Sequence, residues 1–278
     1  MTPIFRTSTQ AEIYTTLDWA AAEGWNPGID DALVFFQTDM HGFFVAELDG
    51  AIVAAISVVN HSDHMAFLGL YLCDPMYRGK GIGYGLWKYA MAHAGPRTVG
   101  LDGVKEQQAN YARSGFTLAG ASTRMQGCMP QMDFNGIRPI SYELDVEIVT
   151  KLDVAANGYA REAFVSGWTK DTDERKTVVY ETDNAVTGFA TIRRCKSGHK
   201  VGPVIAPNSD IAIKLVSAAA RLMSAHQVII DMADGQPQFK DRLITFGFET
   251  TFETARMYRG RPPKKNETLF AIATMELG

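Results

Sequence analysis

Arg78, Gly79, Lys80, Gly81 and Gly83 fall within six consecutive positions of DPMYRGKGIGYGLWKYAM, residues 74–91. Bare backbone mixed with cations suits one task, holding a polyvalent anion. Where β-carbons are missing, consecutive backbone N–H groups can converge into a nest, and a helix starting beside them adds the positive end of its dipole. Arg78 and Lys80 would supply charge-assisted hydrogen bonds worth about 1.5–3 kcal/mol each. Two familiar phosphate cradles do not fit. Gly79-Lys80 is followed by Gly81 rather than Ser or Thr, and position 84 is Tyr where G-x-G-x-x-G requires Gly. The pattern present is R-x-x-G-x-G, carried by Arg78, Gly81 and Gly83. A tight packing turn would explain the glycines but not the cations.

The elements around the loop follow from periodicity. A short strand near Ile4 to Arg6 precedes an amphipathic helix from Gln10 to Ala22, with Ile13, Tyr14, Leu17 and Ala21 on one face and Thr9 as its cap. A second helix spans about Asp31 to Gln37. GFFVAELDGAIVAAISVV reads as two strands about an Asp49-Gly50 hairpin turn. HMAFLGLYLCDP is a long apolar strand ended by Pro75, and the glycine loop opens a helix that runs to about His93 with Leu86 and Ala90 facing the sheet. A strand at TVGLD, a helix near EQQANYARS and a strand after Gly115-Phe116 complete the unit.

That unit occurs twice. Pro75 and Pro207, Met91 and Met223, Gly115 and Gly247, Phe116 and Phe248, Arg124 and Arg256, and Met125 and Met257 are all separated by 132 positions. ELDGAIV at 47 has its counterpart ETDNAV at 181, shifted by 134. Six pairs in one register, extending over about fifty residues, indicate tandem copies of one fold. The expected division is a first domain at 1–127, a Gly- and Pro-containing linker at 128–140 and a second domain at 141–278.

The R-x-x-G-x-G loop after a strand and before a helix, the element order of residues 1 to about 125, and the spacing from Tyr111 to Gly115-Phe116 together resemble the GCN5-related N-acetyltransferase (GNAT) superfamily. The resemblance implies an α+β class with mixed α/β sheets, two tandem folds each built on a mostly antiparallel mixed sheet flanked by helices. It also implies acetyl-CoA as cosubstrate, with its diphosphate on Arg78, Gly79, Lys80, Gly81, Ile82, Gly83 and Tyr84. The pantetheine arm would pair with the strand at Tyr71, Leu72 and Cys73. An amine attacking the thioester directly needs an oxyanion donor, which a backbone N–H near Leu72 or Cys73 can supply. It also needs a proton for the departing thiolate. Tyr111 occupies the position of the family's proton-donating tyrosine, although a core tyrosine would look the same here.

An alkylammonium acceptor is neutral in only about one molecule in 2,500 at pH 7, so a proton acceptor is expected, directly or through water. His64 and Asp102, at strand ends, are the candidates by location. Both also fit ordinary surface or turn roles. Glu23 and Asp30 flank the region where the family admits its acceptor, and Trp25 could wall that pocket or simply anchor its loop.

In the second copy the loop positions change to Asp210, Ile211, Ala212, Ile213 and Leu215, and Tyr111 to Leu243. Branched side chains fill the nest and a carboxylate replaces the guanidinium, so this copy is expected to keep the fold without the cofactor site. Arg161, Arg193, Arg194, Lys196, His199, Lys200, Arg256 and Arg259 concentrate positive charge there. They read as a solvated cationic surface with a packing platform, or as a site for an acidic acceptor or regulator.

A net charge of −4 in 278 residues argues against nucleic-acid binding. Three separated cysteines, Cys73, Cys128 and Cys195, lack metal-ligand spacing and point to free buried thiols. No apolar run reaches membrane-spanning length and MTPIFRTSTQ lacks leader character, so a cytoplasmic protein is expected, with its oligomeric state open. The sequence reads as an N-acetyltransferase acting on a small-molecule or lysine-like primary amine. A non-catalytic acyl-CoA sensor or regulatory module, and a docking scaffold, are the alternatives.

Overall fold

The computed structural model describes residues 2–133 and 135–278. The first copy comprises β1 (Ile4–Thr7), α1 (Gln10–Ala22), α2 (Asp31–Thr38), β2 (Phe43–Leu48), β3 (Ala51–Asn60), β4 (Met65–Cys73), α3 (Ile82–Ala94), β5 (Thr98–Gly103), α4 (Gln108–Arg113) and β6 (Thr117–Cys128). After β7 (Ile137–Pro139) come α5 (Tyr142–Asn157), α6 (Glu162–Thr169), β8 (Arg175–Thr182), β9 (Ala185–Arg194), β10 (His199–Ile205), α7 (Ser209–Leu222), β11 (Gln227–Ala233), α8 (Pro237–Thr245), β12 (Glu249–Arg259) and β13 (Leu269–Ala271). Strand β7 lies inside the stretch expected to be linker and pairs with β8.

Local chemistry sets several of these boundaries. Thr9 and Glu12 form a reciprocal capping box at the start of α1, with the Thr9 N–H donating to the Glu12 carboxylate at 2.8 Å. Asp49 and Gly50 adopt φ of 53° and 78°, and their counterparts Asp183 and Asn184 adopt 51° and 60°. Both hairpins therefore turn through the left-handed region, which Asp, Asn and Gly tolerate best.

The thirteen strands among the described residues form one sheet, ordered β1-β2-β3-β4-β5-β12-β6-β11-β13-β10-β9-β8-β7. The centre of that order is the consequential feature. β6 of the first copy pairs with β11 of the second, while β12 of the second pairs with β5 of the first. The copies have exchanged their equivalent late strands, and β6 and β12 lie side by side between them. The repeated Arg-Met pairs sit on these strands. Arg124 reaches Asp231 at 2.6 and 2.9 Å, and Arg256 reaches Asp102 at 2.9 and 2.7 Å, so each guanidinium is neutralised by the other copy.

Helix α3 covers one face of the first copy with Leu86, Ala90 and Ala94. Helices α1 and α2 cover the other face and share a core with α6, where Trp168 stacks on Phe164 and Phe35 with centroids 4.9 and 6.2 Å apart. The cationic cluster read as surface and packing platform is in part internal. Arg161, Arg193 and Lys200 are at most 2% exposed, as is Arg175. Arg175 and Arg193 converge on Asp31 and lie 4.4 and 4.5 Å from the Trp168 ring centroid. Asp31 stays ionised despite complete burial because Arg193 and Arg175 draw its pKa below the usual carboxylate range. Removing one partner of such a pair costs about 3–5 kcal/mol, because the other charge stays buried. Arg194 and Lys196 do remain exposed, paired with Glu174 and Asp18. The three cysteines are free, but only Cys195 is fully buried, with Cys128 exposed.

Candidate active site

The glycine loop leaves the end of β4 through a short 3-10 turn at Pro75–Tyr77, started by the Asp74 carboxylate accepting from Met76 N–H at 2.8 Å. Its four glycines answer two different demands. Gly79 and Gly81 have φ of 76° and 78° with open space where a β-carbon would point, so it is backbone conformation rather than packing that favours glycine there. Gly83 and Gly85 sit inside α3, where a β-carbon would lie 2.9 Å from the Tyr71 hydroxyl and 2.5 Å from Phe5 Cζ. Those two let the helix settle onto β4 and β1. In the second copy α7 starts at Ser209, capped by Asn208, so the equivalent residues are helical and Ala212, Ile213 and Leu215 are buried.

Two adjoining cavities open beside the first loop. The outer one is bordered by Leu72, Cys73, Arg78, Gly79, Gly81, Ile82, Gly83 and Tyr84. The inner one is bordered by Leu70, Asp102, Tyr111, Arg124, Phe252, Thr254, Met275 and Glu276. Trp25, Tyr71, Val104 and Gln107 border both. The Trp25 carbonyl is held in place from the second copy by Lys200 Nζ at 2.9 Å, and from β6 by Arg124 at 3.1 Å.

Tyr71, Tyr111 and Phe116 surround Trp87, with Tyr111 stacked on it at 5.6 Å. Burial pushes the Tyr71 hydroxyl up to about 12, and burial followed by the proximity of Tyr71 raises Tyr111 above the ordinary phenol range. Both phenols hold their protons at neutral pH. Arg78 spans the outer mouth, donating to Cys73 O at 2.9 Å and to Glu23 at 2.5 Å. Lys80 stands apart from the cavity wall, with its ammonium 5.0 Å from the Tyr77 ring centroid.

The C-terminal segment forms the floor of the inner cavity. After β13 inserts between β10 and β11, the chain runs past two glycines in equivalent β-strands. A β-carbon on Gly202 would lie 2.2 Å from Ile272 O, and one on Gly69 would lie 2.0 Å from Glu276 O. His61 Nε2 meets Leu277 O at 2.8 Å, and Arg161 donates to Gly278 O. Glu276 is 3% exposed. Burial pushes its carboxyl pKa up, opposed by Lys200, Arg193 and Arg124.

Comparisons with known proteins agree with this geometry. Residues 10–116 match the acetyltransferase (GNAT) family model and residues 149–271 match a second model, an acetyltransferase (GNAT) domain. The chain is 36% identical over 265 residues to holothin acyltransferase of Pseudoalteromonas sp. (strain SANK 73390), covering 94% of this chain and 90% of that one. The chain belongs to the GNAT acetyltransferase family. It is also 24% identical over 269 residues to the N-acetyltransferase YitH of Bacillus subtilis, whose function is uncharacterised, covering 92% and 91% of the two chains. In fold it matches a crystal structure of a proposed acetyltransferase from Pyrococcus horikoshii, with TM-score 0.84, 18% identity and coverage of 99% and 96%. A tandem GNAT protein from the clavulanic acid biosynthesis pathway matches with TM-score 0.61, 15% identity and coverage of 96% and 100%.

The protein is thus a tandem GNAT acyltransferase, of a family that uses an acyl-CoA cosubstrate. Its structure gathers Tyr71, Leu72, Cys73 and the loop from Arg78 to Tyr84, Lys80 excepted, around one cavity. Tyr111 and Asp102 border the adjoining one. Asp102 has its carboxylate fully engaged by Arg256, Ser122 and Thr254. His64 is exposed at the opposite end of β4 from Cys73 and borders neither cavity. Phe252, Met275 and Glu276 were not anticipated. The one available signal was a lone acidic residue in the otherwise apolar ending LFAIATMELG. No helix among the described residues is long and apolar enough to cross a membrane.

Proposed function

We propose that the protein is an acetyl-CoA-dependent N-acetyltransferase that acetylates the primary amine of a compact, largely apolar small molecule by direct attack on the thioester. The observation that carries this reading is the pair of cavities meeting at Tyr71 and Trp25, one bordered by the glycine loop and the other by Tyr111. The cosubstrate enters through the outer cavity. Its diphosphate lies against the N–H groups of Gly79 to Gly83, with Arg78 turning from Glu23 toward the phosphates, and its arm runs along Tyr71 to Cys73. The acceptor occupies the inner cavity, against Trp25, Phe252 and Met275.

As the nitrogen attacks, a backbone N–H at Leu72 or Cys73 stabilises the oxyanion. The Tyr111 phenol passes its proton to sulfur as the carbon–sulfur bond breaks. The apolar, interior character of the acceptor cavity supports a small molecule over a lysine side chain on a polypeptide. The name of the holothin acyltransferase relative points the same way.

The test is incubation with acetyl-CoA and a panel of small amines and lysine peptides, following free thiol. Thiol release with small amines is expected. Acetyl-CoA binding without release for any acceptor would instead identify a non-catalytic acyl-CoA sensor. Arg78→Asp combined with Gly81→Ile, the residues of the second copy, should weaken acetyl-CoA binding at least about 100-fold. Unchanged binding in that variant would overturn the placement of the cosubstrate.

A further inference from the structure

Direct attack leaves one chemical demand unmet, a group to take the proton from the amine. Two carboxylates border the inner cavity, Asp102 and Glu276. Both oxygens of Asp102 are committed to Arg256, with Ser122 and Thr254 adding further hydrogen bonds. Of the other acidic groups nearby, Glu23 is tied to Arg78 at the outer mouth, and Asp30 and Asp31 are bound by Arg175. Glu276 differs from all of these. Its Oε2 accepts from the Thr274 hydroxyl, and its Oε1 has no partner among the described residues.

We infer that Glu276, carried on the C-terminal segment of the second copy, is the proton acceptor for the amine bound in the first copy's site. The inference rests on the acetyl-transfer reading above. Its placement is rigid. The main chain on either side is pinned by Thr274, by the close approach to Gly69, and by His61 on Leu277 O. The charged groups facing the carboxylate are Arg124 from β6, Arg193 from β9 and Lys200 from β10, with Asp31 of α2 opposing them. Burial raises the carboxyl pKa, and those cations oppose the rise without cancelling it. The raised pKa makes it a stronger base than a carboxylate in water.

In the step, the amine nitrogen forms a bond to the thioester carbonyl carbon and its proton moves to Glu276 Oε1. The carbon–sulfur bond breaks and sulfur takes the Tyr111 proton. Glu276 then releases its proton to solvent and Tyr111 regains one. The net change is amine plus thioester to amide plus thiol.

The test compares wild type with Glu276→Gln, which keeps shape while removing basicity. The acceptor is a small aromatic amine that is turned over by the wild type and stays uncharged at every pH used. The expected result is a fall in kcat/KM of about 100-fold or more, loss of the acid limb of its pH profile, and acetyl-CoA affinity within about twofold of wild type. Wild-type activity with an intact acid limb would overturn the inference. Parallel loss of acetyl-CoA affinity would also overturn it, since that marks Glu276 as balancing the buried cations. Thr274→Val provides a second route if the Gln variant fails to fold. Without the Thr274 hydrogen bond the acid limb should move to higher pH, and an unmoved limb would count against the assignment. Failure of the parent reading looks different, because the wild type itself would then release no thiol with any amine.

Discussion

Replacing Gly69 by Ala probes the contact on which the architecture of the site depends. The added β-carbon would lie 2.0 Å from Glu276 O and 2.9 Å from Glu276 C. Both are backbone atoms of a segment fixed on either side, so no side chain can swing away. Relief to ordinary contact, about 3.4 Å, requires the C-terminal segment to move by more than 1 Å. Overpacking of this kind costs about 1–3 kcal/mol. At about 2.1 cal/mol/K per residue of unfolding entropy, a chain of 278 residues should lose about 2–5 °C in Tm. Function should suffer more than stability. The displaced segment carries Met275 and Glu276 at the inner cavity, whereas the glycine loop is untouched. Acetyl-transfer rate is therefore expected to fall at least about tenfold, since catalytic geometry tolerates little displacement, while acetyl-CoA affinity stays near wild type. Differential scanning calorimetry, acetyl-CoA titration and a thiol-release assay measure the three quantities. Unchanged Tm together with unchanged turnover would refute the packing of the terminal segment against β4.

Two further perturbations address the outer mouth and the anchoring of the C-terminal segment. Glu23→Gln frees Arg78 from a solvent-exposed ion pair worth roughly 0.5 kcal/mol, so acetyl-CoA should bind about two- to threefold more tightly by calorimetric titration. Weaker binding would mean that the pair presents Arg78 to the cosubstrate. His61 is held neutral because burial, followed by the charge of Arg161, lowers its pKa from 6.5 to about 4, against the opposing pull of Leu277 O. The unfolded chain takes up a proton near pH 6.5 that the folded chain refuses until about pH 4. Stability from this group is thus fully present above pH 6.5 and is lost as pH falls toward 4, by about 3 kcal/mol. Urea midpoints across that window should show this loss in wild type and a smaller one in His61→Gln. Equal slopes would remove His61 from the account.

What the sequence reveals is what short stretches encode. The capping box at Thr9 and Glu12, the left-handed turn at Asp49-Gly50 and the glycines at 79 and 81 each depend on neighbours within a few residues, and all are visible in the letters. The exchange of β6 and β12 is not. Their common register marks them as equivalent strands, but an alternating strand does not state which copy supplies its partner. Burial of Arg193 and Lys200 depends on that long-range pairing, so a cluster of cations that reads as surface becomes the interior of the joint between copies. Gly83 gives a smaller case. It belongs by spacing to the anion loop, yet its missing β-carbon serves the approach of α3 to Tyr71.

The strand exchange also ties the copy without the glycine loop to the one that has it. β5 finds its neighbour in β12, and β6 finds one of its neighbours in β11, so neither copy can complete its own sheet. Separating them would strip Asp102 of Arg256 and Arg124 of Asp231, leaving buried charges unpaired on both sides. The dependence extends to the cavity itself. Phe252, Thr254, Met275 and Glu276 border it from the second copy, and Lys200 fixes the carbonyl of Trp25, which also borders it. Ile213 and Leu215 fill the loop positions of the second copy, yet the strands and C-terminal segment of that copy still border the inner cavity beside the first.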